Sequence, residues 1–259
     1  QLEHVGVALL RHDRGAGGEL IRQAHEGELL RVEQQQVAGQ AGDVLGQQRK
    51  LEGELRLGYI GPPTRSFLGP LLKEYARRFP RVTVILEERT PERVWEMVSK
   101  GRLSVGLTRP VLAHDSLGLQ SLLLREEKFC AAVPKDHPWA KLSSLPWKKL
   151  AGEPLIILAR REGASSHDSI RAACADAGFE PRLKHTPSLI GTILQYVESC
   201  AGIGVVPEST VSKNIALIPL KPQTTIPLVM VWAKEGDDPA VAAFRDLVKE
   251  WLREGKMWA

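Results

Sequence analysis

The chain has 259 residues, 43% of them hydrophobic and 25% charged, with a net charge of +4 and a pI near 9.0. That length buries one large or two modest cores, and the composition is that of an ordinary globular protein rather than a disordered or fibrous one. No apolar run approaches the roughly 20 residues of a membrane span, nothing resembles a secretion signal, and the mild positive charge permits nucleic-acid contact without demanding it.

In chain order, the first stretch to read is Leu20 to Leu51. Leu29, Leu30, Val32, Val37, Val44 and Leu45 are spread along it as in a helix, but Gly27, Gly39, Gly42 and Gly46 interrupt it. Each such glycine costs about 1 kcal/mol relative to alanine. Residues 1–50 carry six Lys or Arg against seven Asp or Glu, a balance of −1. A phosphate-binding module usually shows the opposite sign.

From Leu55 to Arg109 the pattern reads strand, helix, strand, helix, strand. The first strand (Leu55, Leu57, Tyr59, Ile60) breaks at Gly61-Pro62-Pro63, where proline removes a ladder donor. Phe67, Leu68, Leu71, Leu72, Tyr75, Ala76 and Phe79 recur at three- and four-residue steps, one apolar face of a helix. Val82 to Leu86 is an unbroken apolar run, expected of a strand covered on both faces. Val94, Met97 and Val98 mark a shorter helix ending at Gly101, and Leu103 to Leu107 is the third strand. Alternation of this kind builds a parallel sheet whose ligand lies outside the strands' carboxyl ends. Those ends are Gly61 to Ser66, Arg89 to Pro91 and Thr108 to Pro110.

A second α/β unit begins at Phe129 to Val133. Ser143-Ser144 offers a helix cap above Leu145, Trp147 and Leu150, and Leu155 to Leu158 reads as a buried strand. A polar loop, Arg160 to His167, leads into a helix from Asp168 to Ala177, with Gly178 just past its end. Arg182 to Thr186 is a short strand. Ser188 caps an apolar helix (Leu189, Ile190, Ile193, Leu194, Val197, Cys200) that ends at Gly202, and Ile203 to Val206 is a strand closed by Pro207. Strands return at Ile215 to Leu220 and Ile226 to Ala233, followed by a helix carrying Val241, Phe244, Leu247, Val248, Trp251 and Leu252. Leu119 to Val133 and Ala216 to Trp232 are long and free of turn signals. Two such extended crossings between two lobes would make a hinge with a cleft. Cys130, Cys174 and Cys200, odd in number and in apolar surroundings, read as reduced core thiols, which implies a reducing compartment, the cytoplasm.

These residues resemble the effector-binding domain of the LysR-type transcriptional regulators. The resemblance runs from about Gly53 to Trp251 and rests on LRLGYIG (Leu55–Gly61), LLKEYARRFPRVTVILEERTPERVWEMVSKGRLSVGL (Leu71–Leu107), FCAAVPKDHPWA (Phe129–Ala140) and GIGVVPES (Gly202–Ser209), in that order and spacing. It implies an α/β fold of two Rossmann-like lobes joined by two crossover strands, like type 2 periplasmic binding proteins, preceded by a helical N-terminal segment. It further implies residues 1–52 as a remnant of a DNA-binding wing and linker helix, with Leu2 to Arg14 similar to the join between recognition helix and wing. The effector-binding domain would then be 53–259, with lobe I about 53–125 and 222–259 and lobe II about 126–221. The family implies a small-molecule effector and a homodimer or homotetramer, with DNA as partner of the intact regulator. The −1 balance of residues 1–50 argues against this chain reading DNA unaided. The alternative on the same fold is a solute-binding protein of a transport system.

Candidate effector-binding residues follow from the strand ends and from the family's cleft. Thr64, Arg65 and Ser66 precede the Phe67 helix, where hydroxyls and free N–H groups favour an anion, though Thr64 or Ser66 would equally serve as a plain N-cap. Thr90 precedes Pro91 at the next strand end, again as ligand contact or cap. Arg109 follows the third strand, either pairing with a ligand carboxylate or lying on the surface beside Pro110. Ser165, Ser166 and His167 open a second-lobe helix, and the resemblance adds Gly204 and Pro207. Together these describe a small carboxylated effector held by two helix amino ends and Arg109.

No catalytic residue, cofactor or metal is expected. Ser166 and His167 are adjacent, so their side chains diverge and form no relay. No His-Glu-x-x-His or Gly-x-Ser-x-Gly occurs, and Gly202-Ile203-Gly204 precedes a strand, the wrong order for a dinucleotide loop. Trp95, Trp139, Trp147, Trp232, Trp251 and Trp258 read as core or interface. Lys73-Glu74 and Arg77-Arg78 read as a solvated helix face. Leu71 and Tyr75, with the Ile226–Ala233 strand and the Val241 helix, read as dimer surface or core.

Overall fold

The computed structural model describes residues 51–111, 118–234 and 238–258. The expectations for residues 1–50 lie outside these, as does the side chain of Trp258. The first unit runs β1 (Glu52–Tyr59), α1 (Gly61–Thr64), α2 (Leu68–Arg78), β2 (Arg81–Glu88), α3 (Pro91–Ser99) and β3 (Val105–Thr108). Its three strands are parallel in the order β2-β1-β3, with Leu57 opposite Leu86 on one side and Val105 on the other.

Gly61-Pro62-Pro63 ends β1 as expected, and it also starts a helical turn. Proline is cheap there, because the first N–H groups of a helix have no partner anyway. α2 consequently opens at Leu68 behind Phe67, with no side-chain cap, so neither Thr64 nor Ser66 caps it. β2 corrects the expectation of a strand covered on both faces. Among the described residues it is the outer strand of the sheet, pairing only with β1, and Leu86 is 45% exposed. An apolar run records what a strand tolerates, whereas cover depends on which elements the topology brings beside it.

β4 (Leu119–Pro134) then runs for 16 residues through both halves of the molecule. Its first part pairs antiparallel with β10 (Thr225–Ala233), and its last part pairs with β8 (Ile203–Pro207) and β9 (Ile215–Lys221). The chain returns through β9 and β10, so the first crossing is one strand and the second is two strands interrupted at 222–224. β10 lies antiparallel between β3 and β4, because the returning chain enters the first sheet from the opposite end.

The second lobe adds β5 (Leu145–Pro146), β6 (Pro154–Ile156), α4 (Ala164–Asp176), β7 (Arg182–His185) and α5 (Ile190–Glu198), with sheet order β4-β8-β6-β7 and β5-β9 on the far side. Three local expectations change here. Ser143-Ser144 caps no helix, since the chain makes strand β5 and a 3-10 turn at Trp147–Leu150 behind Pro146. α4 starts four residues before Asp168, and α5 opens behind Leu189 rather than a Ser188 cap. The left-handed residue that ends α5 is Cys200 (φ 57°), while Gly202 is small because a Cβ would strike the Pro154 carbonyl. Cys200 is exposed and so not a core thiol. Cys130 and Cys174 are buried, which pushes their thiols up to about 11.

Each lobe has its own core. The first gathers Leu55, Leu57, Leu71, Tyr75, Trp95, Leu107, Met230 and Phe244; the second gathers Phe129, Trp147, Leu155, Ile170, Cys174 and Ile218. A smaller cluster of Ala132, Ile156, Ile193, Val197 and Val206 seats α5 on the other face of the second sheet. Leu71 and Tyr75 are fully buried, and the Tyr75 hydroxyl donates to the Ala240 carbonyl (2.8 Å) at the start of α6 (Pro239–Arg253). They are core, not dimer surface.

Candidate functional site

The carboxyl ends of β1, β2 and β3 open onto a cavity of about 540 Å³. Its first-lobe wall is Ile60–Pro63, Arg65, Glu88–Pro91 and Arg109; its second-lobe wall is Leu158, Ser166, Ser188–Thr192, Leu194, Gln195, Pro207, Thr210 and Val211. The parallel first sheet thus places its loops where such sheets place ligands, and the crossover strands pass behind them.

Five of the expected residues meet here: Arg65, Thr90, Arg109, Ser166 and Pro207. The other five do not line the cavity. Thr64 is 1% exposed and donates to the carbonyls of Ile60 (2.9 Å) and Gly61 (3.2 Å), stabilising the α1 turn from within. Ser66 is exposed in the turn before α2. Because α4 starts at Ala164, residues 165, 166 and 167 sit about 100° apart around the helix. Ser166 therefore faces the cavity, Ser165 does not, and buried His167 bonds through Nδ1 to the Leu158 carbonyl (2.9 Å). Gly204 lies in β8, where a Cβ would press on Ile193, Val197 and Ala132; its smallness seats α5.

Arg109 is neither a surface residue nor a free cation. Only 4% exposed, it pairs with the fully buried carboxylate of Glu127 on β4, and its Nη1 donates to the Ile226 carbonyl (3.2 Å). Burial pulls its pKa down from the ordinary value, and Glu127 opposes that. Glu127 also accepts from Arg125 Nη2 (2.6 Å), which reaches the Pro63 carbonyl (3.2 Å) in the cavity wall. The Trp95 indole donates to the Arg109 carbonyl (2.6 Å). This Arg-Glu-Arg cluster ties β3, α1 and both crossings together.

Of the two helix amino ends expected to hold an anion, that of α2 lies behind Phe67 and outside the cavity lining, and that of α4 is partly taken, since the Ala164 N–H donates to Glu92 Oε1 (2.6 Å). The amino end of α5, Ser188 to Thr192, opens into the cavity without a side-chain cap. The sequence reading does not place this helix end at the cavity, although a signal is present. Leu189, Ile190, Ile193, Leu194 and Val197 cover more of the helix than one buried face requires. Ile193 and Val197 go into the core, while Leu189 and Leu194 line the cavity. Leu189 and Val211, 59% and 69% exposed, form its apolar rim. Thr210 was not anticipated either: it is 3% exposed and its hydroxyl has no partner among the described residues.

Residues 48–253 match the family model of the LysR substrate binding domain. The chain belongs to that family. It is similar to the HTH-type transcriptional regulator AlsR of Bacillus subtilis, 28% identical over 214 residues, covering 80% of this chain and 68% of that protein. It is also similar to the HTH-type transcriptional regulator TtuA of Agrobacterium vitis, 30% identical over 208 residues, covering 76% and 66%. This LysR-family chain therefore spans about two thirds of the length of these curated relatives. Among solved structures, the effector binding domain of QuiR in complex with shikimate shares its fold, with a TM-score of 0.70 at 18% identity over 80% of this chain and 99% of that one. Among the described residues, no helix is long and apolar enough to cross a membrane.

Proposed function

We propose that this chain is the ligand-sensing part of a LysR-type transcriptional regulator, and that a small carboxylated effector seated between its lobes controls DNA binding by the intact protein. On this reading it works in the cytoplasm as a homodimer or homotetramer and catalyses no reaction. The observation that carries the proposal is the cavity at the strand ends, walled by both lobes and backed by both crossings, where a ligand bears directly on the hinge. The relatives named as HTH-type transcriptional regulators support the regulatory role.

A carboxylated ligand is supported by shikimate, itself a carboxylate, in the QuiR domain. Its seat here differs from the one first expected, since Arg109 already holds Glu127. The open amino end of α5 offers N–H groups and a favourable dipole, and Arg65 in the opposite wall pairs with no described carboxylate. The aliphatic lining, from Ile60 and Pro63 to Leu194 and Val211, takes the apolar body.

Titration calorimetry with a panel of small carboxylates, shikimate first, against their neutral amides tests this. Saturable binding is expected for at least one acid, weakened about tenfold in Arg65→Ala, the scale of one lost charge-assisted hydrogen bond. It should be abolished in Thr192→Trp, which fills the cavity. Saturation by the amide as strong as by the acid would remove the carboxylate from the account. Binding untouched by Thr192→Trp would remove the cavity.

A further inference from the structure

α4 has no cap of its own. Its N-cap is Gly163, which offers no side-chain acceptor, and a Cβ at that position would collide with the Leu158 side chain in the cavity wall. A Ser, Asp or Asn there, the residues that usually satisfy a helix's first N–H groups, would have to push the end of the Leu158 side chain aside. The acceptor comes instead from the other lobe: Glu92 Oε1 takes the Ala164 N–H at 2.6 Å. Glu92 lies in the first turn of α3, next to Thr90 and Pro91 of the opposite wall. Its second oxygen, Oε2, is buried without a hydrogen-bond partner among the described residues.

A glutamate in the first turn of a helix is already stabilised by its own helix dipole while fully hydrated. Nothing local to α3 requires this one to leave water. Its burial also pushes the carboxyl pKa up, opposed by the Ala164 N–H and reinforced by Glu162. The desolvation is offset by the Ala164 N–H of the second lobe and, on α3 itself, by Glu92's own backbone N–H.

We infer that Glu92 is a latch between the lobes, capping α4 across the cleft only while the cleft is closed. Opening uncaps the helix whose first turn carries the Ser166 wall, so closure and the order of that wall rise and fall together. The inference rests on the cavity's being the effector site, since access to that site is what the latch governs.

Residue-resolved amide exchange on the full 259-residue chain, with no ligand added, tests it. In Glu92→Ala, exchange at Ala164 and His167 is expected to accelerate roughly fivefold or more, the scale of a lost cap. Glu92→Gln keeps an oxygen for Ala164 and should fall between the two. Glu96→Ala, on the exposed side of α3, should leave both amides unchanged. Unaltered exchange at Ala164 in Glu92→Ala, with β1 still protected, overturns the latch. If Glu92→Ala instead loosens both sheets, Glu92→Gln decides: an Ala164 amide as protected as in the parent overturns the latch, and an intermediate one supports it. No effector enters this experiment, so a failed latch leaves the calorimetric reading standing, and failed calorimetry leaves the exchange result standing.

Discussion

Arg109 and Glu127 show how much a residue's role depends on what the chain brings to it. A guanidinium after a parallel strand is well placed for a ligand anion, and this one lines the cavity, yet an internal carboxylate 18 positions away has claimed it. Desolvating two charges is expensive, so such a pair adds little net stability while complete and is costly to break. Glu127→Ala is expected to destabilise the chain by about 3–5 kcal/mol, because it strands Arg109 in the interior. Glu127→Gln should cost less, as its amide oxygen still accepts. Urea denaturation of the two variants measures the difference, and equal midpoints would show that Arg109 finds other partners.

Among elements, α2 and α6 show where a charged face stops being mere surface. Glu74 accepts from Arg77 and Arg78, and Arg78 also grips Glu250 of α6 with two bonds of 2.6 and 2.7 Å. Those guanidinium bonds hold the Glu74 carboxyl at about 2, below its ordinary 4.5. A depressed carboxyl contributes stability above its unfolded value and loses it as pH falls through its folded value. The advantage of the parent over Arg78→Ala in thermal denaturation should therefore be full at pH 7 and fade between pH 4.5 and pH 2. A gap that persists at pH 2 would assign it to packing of the arginine stem. Gly202, before β8, is a purely steric case. Gly202→Ala places a methyl against the Pro154 carbonyl, and a cost of about 1–3 kcal/mol is expected from the forced backbone shift. Unchanged stability would mean that β6 and β8 can slide apart freely.

At the scale of the whole molecule, two cores are strung on one pair of crossings, and the cavity lies where the loops of one lobe meet the helix ends of the other. Neither lobe walls this cavity alone. The first supplies strand ends and arginines, and the second supplies hydroxyls, aliphatic rim and the free end of α5. The Glu92 contact adds a direct tie between the walls. Ligand affinity, closure and the order of α4 should then be linked quantities rather than separate ones.

Periodicity alone was enough to read α2, α3, α6 and the strands around them, because an apolar face repeats at a spacing that only one backbone geometry satisfies. The same reading located Gly61–Pro63, Arg89–Pro91 and Arg109 at the cavity, since strand ends follow from strand order. Tertiary structure alone decided the rest. Whether Leu71 and Tyr75 faced core or partner, whether β2 was covered, and which carboxylate held Arg109 or Ala164 all depended on segments distant in sequence. Local pattern records the free energy of a residue in its own element, whereas cover, pairing and cross-lobe capping are settled by the surfaces that packing brings into contact.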